Sequence, residues 1–262
     1  MKGTMDQHAR YGVAAVDRAV VILEVLENGV SGLSLAEVGR RAGLSEATTL
    51  RYLATLSRHE LVERDSLGRY RLGIALFRLG QQALGNSDPR KVALPYMDRL
   101  LAEFEETVNL AMRHGDRLVV IEVVESQRSI KKGASIGEND VWHASALGKA
   151  ILAHLADDEA VDIVKRSELT RFTARTLTSP ATLSKAFEEV RRLGYATDDE
   201  EFEEGLRCVA APVFDQRSRP NYALSVSAPA SRLPQDLVPV VGEALGVAAR
   251  AISSGLGHLE HG

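Results

Sequence analysis

The sequence contains one cysteine, no long apolar run and no excess of basic charge. Cys208 has no partner in the chain, so an intramolecular disulfide is excluded and a reducing compartment is expected. No apolar run approaches the roughly 20 residues that span a bilayer, and the opening MKGTMDQHAR lacks the apolar core of a signal peptide. We therefore expect a cytoplasmic protein with no membrane partner, whose residues 1–12 form a flexible polar tail.

Other absences narrow the function further. The 32 Lys and Arg residues are outnumbered by 36 Asp and Glu residues, and the net charge of -4 excludes a generally basic, nucleic-acid-coating protein. CxxC and HxxxH spacings are absent, so we predict no metal and no cofactor. The 262 residues, 45% of them hydrophobic, suit one or two domains.

Arginine is concentrated between Arg40 and Arg71. This segment holds seven arginines and four acids, which gives it a charge of +3 and leaves -7 for the rest of the chain. A cationic segment in an acidic chain is either a solvated helix face or a surface for phosphate. Charge alone does not decide between these two interpretations.

Two short helices joined by a glycine turn are predicted between residues 34 and 59. Ser34 can cap the first helix, Gly43 permits the turn, and Ser45 can cap the second helix, from about Glu46 to His59. A longer amphipathic helix precedes this pair, with apolar residues at helical spacing: Val16, Val20, Leu23 and Leu26. This arrangement is typical of a helix-turn-helix domain.

The second helix of the pair has the composition of a DNA-recognition helix. We expect its apolar face to bury Leu50, Leu53 and Leu56. Hydroxyls bond to phosphates, whereas threonine methyls and forked arginine donors contact base edges. The residues predicted to contact DNA are Ser45, Glu46, Thr48, Thr49, Arg51 and Tyr52.

A hairpin is predicted directly after this helix, because LVERDSLGRYRLG alternates around the turn residues DSLG. A hairpin in this place is the wing of a winged helix. We predict that Arg64, Arg69 and Arg71 bring the wing to phosphate or to the minor groove. DNA binding is the leading interpretation, and the alternative is a winged helix that contacts only protein.

The pattern changes after the wing. GIALFRLGQQALG predicts a helical linker, and short alternating runs interrupted by helical segments such as ASALGKAILAHL then indicate an α+β domain with an antiparallel sheet. We therefore predict a winged helix-turn-helix domain over residues 13–74, a helical linker over 75–90 and an α+β domain over 91–258.

Several segments resemble the IclR family of bacterial transcriptional regulators, in the family's order from about Val13 to about Gly255. They include VDRAVVILEVL, LSLAEVGRRAGLSEATTLRYLATLSRHELV, YRLGIALFRLG, ETVNLAMRHGDRLVVIE, HASALGKAILAHL, GYATDDEEFEEGLRCVAAPVFD and ALSVSAP. The resemblance implies that the α+β domain is a GAF-like effector domain and that an effector modulates binding to double-stranded operator DNA. It also implies homodimers through the winged helices and dimers of dimers through the effector domains.

The resemblance further implies an effector that is a small organic acid, possibly aromatic. Amides at a helix start, here those of Ala146 and Leu147, bind carboxylates. Ser225 and Ser227 lie two apart on a strand, so both hydroxyls point to one face. The implied effector residues are Ala146, Leu147, Asp198, Cys208, Ser225 and Ser227.

The loop GENDVWHA departs from the family's pattern, which usually has a proline and an apolar residue before the histidine. Asp140, Val141 and Trp142 occupy this loop. The bulk of Trp142 and the extra carboxylate of Asp140 at the mouth of the site favour a flat, aromatic or partly cationic effector. We interpret His143 as a structural hydrogen-bond partner rather than as a metal ligand.

Two other functions are compatible with this organisation. In a hydrolase with a DNA-binding appendage, Cys208 would be the nucleophile and His143 its base, but nothing in LRCVAAP provides the helix N-terminus that would lower the pKa of the thiol. In a DNA-binding scaffold, the second domain would only oligomerise. The leading interpretation is a regulator that is not an enzyme.

Overall fold

The structure is a computed structural model that describes residues 13–27, 29, 32–83 and 88–259. The predicted tail of residues 1–12 and residues 84–87 of the predicted linker lie outside these ranges. The chain divides into two units between Asn86 and Ser87. No helix in the described ranges is long and apolar enough to cross a membrane.

The described part of the first unit is a three-helix arrangement followed by a hairpin and a further helix. Ser34 and Glu37 form a reciprocal capping box at the start of the second helix, and Gly43 ends that helix at a φ of 66°. Ser45 caps the third helix. The elements are α1 (Ala14–Glu27), α2 (Leu35–Ala42), α3 (Glu46–Arg58), β1 (Val62–Arg64), β2 (Tyr70–Leu72) and α4 (Ile74–Ala83). The predicted winged helix-turn-helix is confirmed, with β1 and β2 antiparallel.

Helix α3 buries a face that is shifted by one residue from the predicted one. Leu53 and Leu56 are buried, but Leu50 is 48% exposed and Thr49 is fully buried. Thr49, Leu53 and Leu56 follow the spacing i, i+4 and i+7, so they share one stripe of the helix. Gly39 allows α2 to pack closely against this stripe of α3, because a Cβ at residue 39 would lie only 3.0 Å from Thr49 Oγ1. The prediction that Leu50 is buried is therefore wrong.

Of the four apolar residues at helical spacing in α1, Leu26 is buried and Leu23 packs against the core, but Val16 and Val20 do not. Ile22 and Leu26 are buried in the core of the first unit, whereas Val16 and Val20 are exposed. A unit this small has one core, and α1 carries more apolar residues than that core covers. An apolar stripe of α1 is left facing solvent.

The second unit is built on a six-stranded antiparallel sheet in the order β5-β4-β3-β8-β7-β6. Its strands are β3 (Thr107–His114), β4 (Arg117–Val124), β5 (Asn139–Asp140), β6 (Ala196–Asp199), β7 (Leu206–Val213) and β8 (Tyr222–Pro229). Its helices are α5 (Pro89–Phe104), α6 (Ala146–Leu152), α7 (Asp157–Arg166), α8 (Pro180–Leu193) and α9 (Val238–Gly255). The predicted α+β class with an antiparallel sheet is confirmed.

Both faces of the sheet are covered by helices. On one face, α5 and α9 form a core that includes Met97 and Leu245; on the other, α6, α7 and α8 form a core that includes Ile151 and Leu183. Side chains alternate between the two faces along each strand. Polar strand residues on the face that α6, α7 and α8 cover therefore point toward α6.

The different burial of two leucines of α3 gives a stability prediction. Leu53→Ala removes buried methyl groups and leaves a cavity, so we expect it to lower the free energy of unfolding of the first unit by about 2–5 kcal/mol. Leu50→Ala removes the same atoms from a half-exposed site and should cost less than about 1 kcal/mol. Urea unfolding followed by circular dichroism measures both, and equal losses would contradict the burial described for α3.

Candidate functional site

The start of α3 presents polar side chains to solvent. Ser45, Glu46 and Arg51 are exposed, and Thr48 is half-buried, with its Oγ1 accepting a hydrogen bond from Ser45 Oγ at 2.9 Å. The Arg51 guanidinium makes no hydrogen bond or ion pair with any described residue. An exposed guanidinium without a partner is available to a phosphate or to the edge of a guanine.

Two other residues predicted to lie on this surface are buried or half-buried. Thr49 is buried between α2 and α3, and its Oγ1 donates to the Ser45 carbonyl at 2.9 Å. Because its side chain lies in the core and its hydroxyl is already bonded, the prediction that Thr49 contacts DNA is wrong. Tyr52 is half-buried and packs against the same core, so only part of its side chain faces solvent.

The three arginines of the wing have partners within the hairpin. The Arg64 guanidinium lies over the Tyr70 ring, 5.4 Å from its centroid. The other two form ion pairs: Arg69 Nε to Asp65 Oδ2 at 3.2 Å, and Arg71 Nε to Glu63 Oε1 at 2.6 Å. Exposed pairs of this kind contribute up to about 1 kcal/mol, so these contacts orient the guanidinium groups without making them unavailable to phosphate.

A cavity of about 140 Å³ lies in the second unit between the sheet and the start of α6. This volume suits a small molecule, since a cavity of about 150 Å³ holds a benzene ring. Seven of the eight residues predicted to bind the effector line it: Asp140, Ala146, Leu147, Asp198, Cys208, Ser225 and Ser227. We refer to it below as the α6 cavity.

Strand register explains why distant polar residues meet in the α6 cavity. Asn109 of β3 pairs with Ser225 of β8, Ser227 pairs with Cys208 of β7, and Cys208 pairs with Asp198 of β6. Directly opposed residues of antiparallel strands project from the same face of the sheet. Four strands thereby place five polar or polarisable side chains on the face toward α6.

Asn109 bridges the two serines. Its Nδ2 donates to Ser225 Oγ at 3.3 Å and to Ser227 Oγ at 3.2 Å. Its Oδ1 is buried and has no hydrogen-bond partner among the described residues. Each serine oxygen accepts from Asn109, and a hydroxyl that accepts one bond can also donate its proton to a ligand.

Two carboxyl groups of the α6 cavity titrate near neutrality. Burial raises the pKa of Asp198 to about 7, although the nearby Lys149 and a hydrogen bond from the Glu201 backbone N–H favour the ionised form. Burial likewise raises the pKa of Asp140 to about 6. The charge of the cavity therefore changes with pH in the neutral range.

A buried ion pair lies beside Asp198. Lys149 of α6 bonds to the Glu201 carboxylate, and both residues are buried. The turn that carries Glu201 is fixed further by the Thr176 hydroxyl, which donates to the Glu201 carbonyl at 2.6 Å. Helix α6 is thus tied to the turn after β6 next to the α6 cavity.

Trp142 does not line the α6 cavity. Its ring is buried in the core that α6, α7 and α8 form, and its Nε1 donates to the Asp116 carbonyl at 2.8 Å. The prediction that Trp142 shapes the mouth of the site is wrong, and the flat-effector hypothesis loses the support of this residue. His143 Nε2 lies 2.9 Å from the Thr170 carbonyl oxygen, which fits a structural role.

Cys208 lacks the environment of a nucleophile. Burial, together with the Asp198 carboxyl, raises the pKa of the Cys208 thiol, whereas a reactive cysteine needs a lowered one. The His143 ring is engaged with the Thr170 carbonyl. The arrangement provides no activated thiol for the hydrolase interpretation.

Asn109 and Lys132 are among the cavity residues that were not predicted from the sequence. Asn109 lines the α6 cavity, and Lys132 lines it with its ammonium 5.1 Å from the centroid of the Phe202 ring. The signal for Asn109 is present in VNLAM, where a polar amide interrupts an apolar strand. Lys132 lies in an irregular segment, where neither strand nor helix periodicity marks it.

Comparisons with known proteins agree with this architecture. The model of the IclR helix-turn-helix domain matches residues 15–66, and the model of the bacterial transcriptional regulator IclR C-terminal domain matches residues 81–254. The HTH-type transcriptional repressor AllR of Escherichia coli strain K12 is 36% identical over 260 residues, which are 99% of this chain and 96% of AllR.

Solved structures share the fold over nearly the whole chain. IclR of Thermotoga maritima matches with a TM-score of 0.79 and 29% identity, covering 93% of this chain and 98% of its own. An IclR homologue of Microbacterium hydrocarbonoxydans in complex with 4-hydroxybenzoate matches with a TM-score of 0.82 and 26% identity, covering 93% of this chain and 99% of its own. This chain belongs to the IclR family of bacterial transcriptional regulators.

Proposed function

We propose that this regulator is a repressor, acting in the cytoplasm, whose affinity for operator DNA is modulated by a small organic acid bound in the α6 cavity. The observation that carries the effector assignment is a small cavity whose polar wall holds two serine hydroxyls, both bonded to Asn109 and both able to donate to a carboxylate. Repression is supported by the likeness to AllR, a transcriptional repressor. Chemical turnover has no part in the proposal.

The proposed DNA surface combines the start of α3 with the wing. Arg51 supplies for base edges a guanidinium that has no partner among the described residues, and the hydroxyls at the start of α3 supply donors for phosphate. The wing arginines supply positive charge for the backbone. The full set is Ser45, Glu46, Thr48, Arg51, Tyr52, Arg64, Arg69 and Arg71.

The proposed effector is a carboxylate because the α6 cavity offers donors that a carboxylate accepts. These are the hydroxyls of Ser225 and Ser227, the first amides of α6 at Ala146 and Leu147, and the ammonium of Lys132. Asp140, Asp198 and Cys208 complete the polar lining. The complex of the Microbacterium homologue with 4-hydroxybenzoate, itself a small organic acid, supports this ligand class.

The proposed assembly is a homodimer through the winged helices, with dimers of dimers through the effector domains. Support for the first contact comes from Val16 and Val20 of α1 and from Val13 directly before it, which are spaced i, i+3 and i+7 and are all exposed. Two recognition helices presented by a dimer reach half-sites about 34 Å apart, one turn of duplex. An effector that favours one arrangement of the dimer by ~1–3 kcal/mol changes operator affinity roughly 5- to 150-fold.

Arg51→Ala should weaken binding to the operator by about 1–3 kcal/mol and relax the sequence preference of the regulator. The change removes the Arg51 guanidinium, which has no partner among the described residues and is available to base edges. Arg69→Ala should weaken specific and random duplex alike and reduce the salt slope by about 1. Fluorescence anisotropy at several salt concentrations measures both variants.

Arg78→Ala is the matched control for these two variants. It removes an exposed charge, paired with Glu60, from outside the proposed surface, and should leave the specific affinity near that of the parent. If Arg51→Ala and Arg69→Ala both bind specific and random duplex as the parent does, the proposed DNA surface is wrong.

Replacing Ser225 and Ser227 together by alanine should abolish the response to the effector while operator binding persists, because the change removes two cavity donors and leaves the residues of the proposed DNA surface intact. Thermal-shift assays with small carboxylic acids, followed by operator binding with and without the stabilising acid, measure this. Loss of both functions would indicate misfolding, and a parent chain that no acid stabilises would favour the scaffold interpretation.

Effector affinity should rise as the pH falls from 8 to 6. A bound carboxylate disfavours ionised Asp198, so binding raises the pKa of Asp198 above its value of about 7 and takes up a proton. One proton per effector changes the association constant by up to about tenfold per pH unit. Lys149, Glu201 and Cys208 interact with Asp198, and the ionisable groups of Asp140 and Lys132 line the same cavity.

Calorimetric titration at pH 6, 7 and 8 with an acid that stays ionised throughout measures this dependence. Asp198→Asn keeps an acceptor for the Glu201 backbone N–H but cannot titrate, so it should reduce the slope. Affinity that is independent of pH in the parent, or that rises with pH, would contradict the coupling.

A further inference from the structure

Asn109 is a buried polar residue of the α6 cavity whose hydrogen bonding is incomplete. It is 4% exposed, and its neighbours on β3, Val108 and Leu110, pack into the opposite core, so the amide projects toward the cavity. The Oδ1 acceptor has no partner among the described residues, and an unpaired buried acceptor destabilises the fold. Such groups are rare in folded proteins and call for an explanation.

The donors and acceptors of this wall are fixed by the bonds that Asn109 already makes. Both serine oxygens accept from Asn109 Nδ2, and each hydroxyl can in turn donate its proton to a ligand. The wall then offers two donors, Ser225 and Ser227, and one acceptor, Asn109 Oδ1. A plain carboxylate satisfies the two donors and gives nothing to the acceptor.

We propose that Asn109 Oδ1 accepts a hydrogen bond from the effector, and that the effector is therefore an organic acid that also carries a hydroxyl or N–H donor, rather than a plain carboxylic acid. This inference rests on the proposed function, because it takes the α6 cavity as the effector site. It gives Asn109 two roles: it orients both serine hydroxyls as donors to the carboxylate, and it selects acids by their second polar group.

The rest of the cavity wall is consistent with a ligand that has its own donor. Asp140 and Asp198 also line the α6 cavity, and each keeps acceptor capacity in either protonation state. Asp140 already accepts from the Val141 N–H and Asp198 from the Glu201 N–H, and a ligand that only accepts hydrogen bonds would add no partner to either carboxyl. A site built around a ligand donor discriminates against the analogue that lacks it, because its buried acceptors are then left unpaired.

The test compares acids that differ by one hydroxyl, titrated calorimetrically into the full chain at pH 7. Suitable pairs are lactate with propionate, 3-hydroxybutyrate with butyrate, and 4-hydroxybenzoate with benzoate. In at least one pair the hydroxy acid should bind about tenfold more tightly than its partner, the effect of one buried hydrogen bond. Asn109→Leu, which keeps the size but removes the amide, should bring that ratio to about one.

Ser225→Ala is the matched control, because it removes a donor to the carboxylate that both acids share. It should weaken both members of a pair and retain most of their ratio. Equal affinities within every pair on the parent chain, or a ratio that survives in Asn109→Leu, would overturn the inference and leave the carboxylate effector standing. Binding by none of the six acids would overturn the proposed effector class and the inference together.

Folding is checked on each variant by its thermal unfolding transition without ligand. The paired comparison on the parent chain needs no substitution, so it decides the selectivity even if Asn109→Leu does not fold. In that case Asn109→Ala supplies the ratio without the amide.

Discussion

The hydrogen bonds from Asn109 on β3 to two serines on β8 are the interaction on which the α6 cavity depends. Polar groups inside a sheet domain are costly unless they are paired, and here one amide pairs two hydroxyls at once. The pairing holds only in the observed register. A slip of β3 by one residue would turn Asn109 into the core that α5 and α9 cover and bring a leucine or a valine to the cavity.

The charges around the cavity are also fixed by contacts between distant segments. Lys149 of α6 and Glu201 after β6 are buried together, and removing either partner would leave an uncompensated buried charge. Because this pair lies beside Asp198, it also contributes to the pKa of that carboxyl near neutrality. Lys149, Glu201 and Asp198 therefore interact electrostatically, and a change in the charge of one alters the electrostatic environment of the other two.

Local signals in the sequence predicted the helix-turn-helix and the wing, because caps and turn residues are short-range properties. The two-residue spacing of Ser225 and Ser227 predicted only that they share a face, and their place in the effector site came from the family resemblance. Long-range packing decided the rest. Leu50 and Thr49 are adjacent, and only the close approach of α2 selects the threonine for the core. Trp142 is buried against a carbonyl 26 residues away, and the partners of Asn109 lie more than 100 residues along the chain. No local pattern reports such contacts.

The free energies involved connect the cavity to regulation. A ligand shifts an equilibrium between two arrangements only by the difference in its binding free energy for them. Coupling of about 1–3 kcal/mol is typical of allosteric regulators, and an unpaired buried acceptor costs about the same amount. A single group such as Asn109 Oδ1, bonded to the effector in one arrangement and unpaired in the other, is therefore sufficient in magnitude to change operator affinity. A cavity that holds one such group does not need an extensive set of ligand contacts in order to act as a switch.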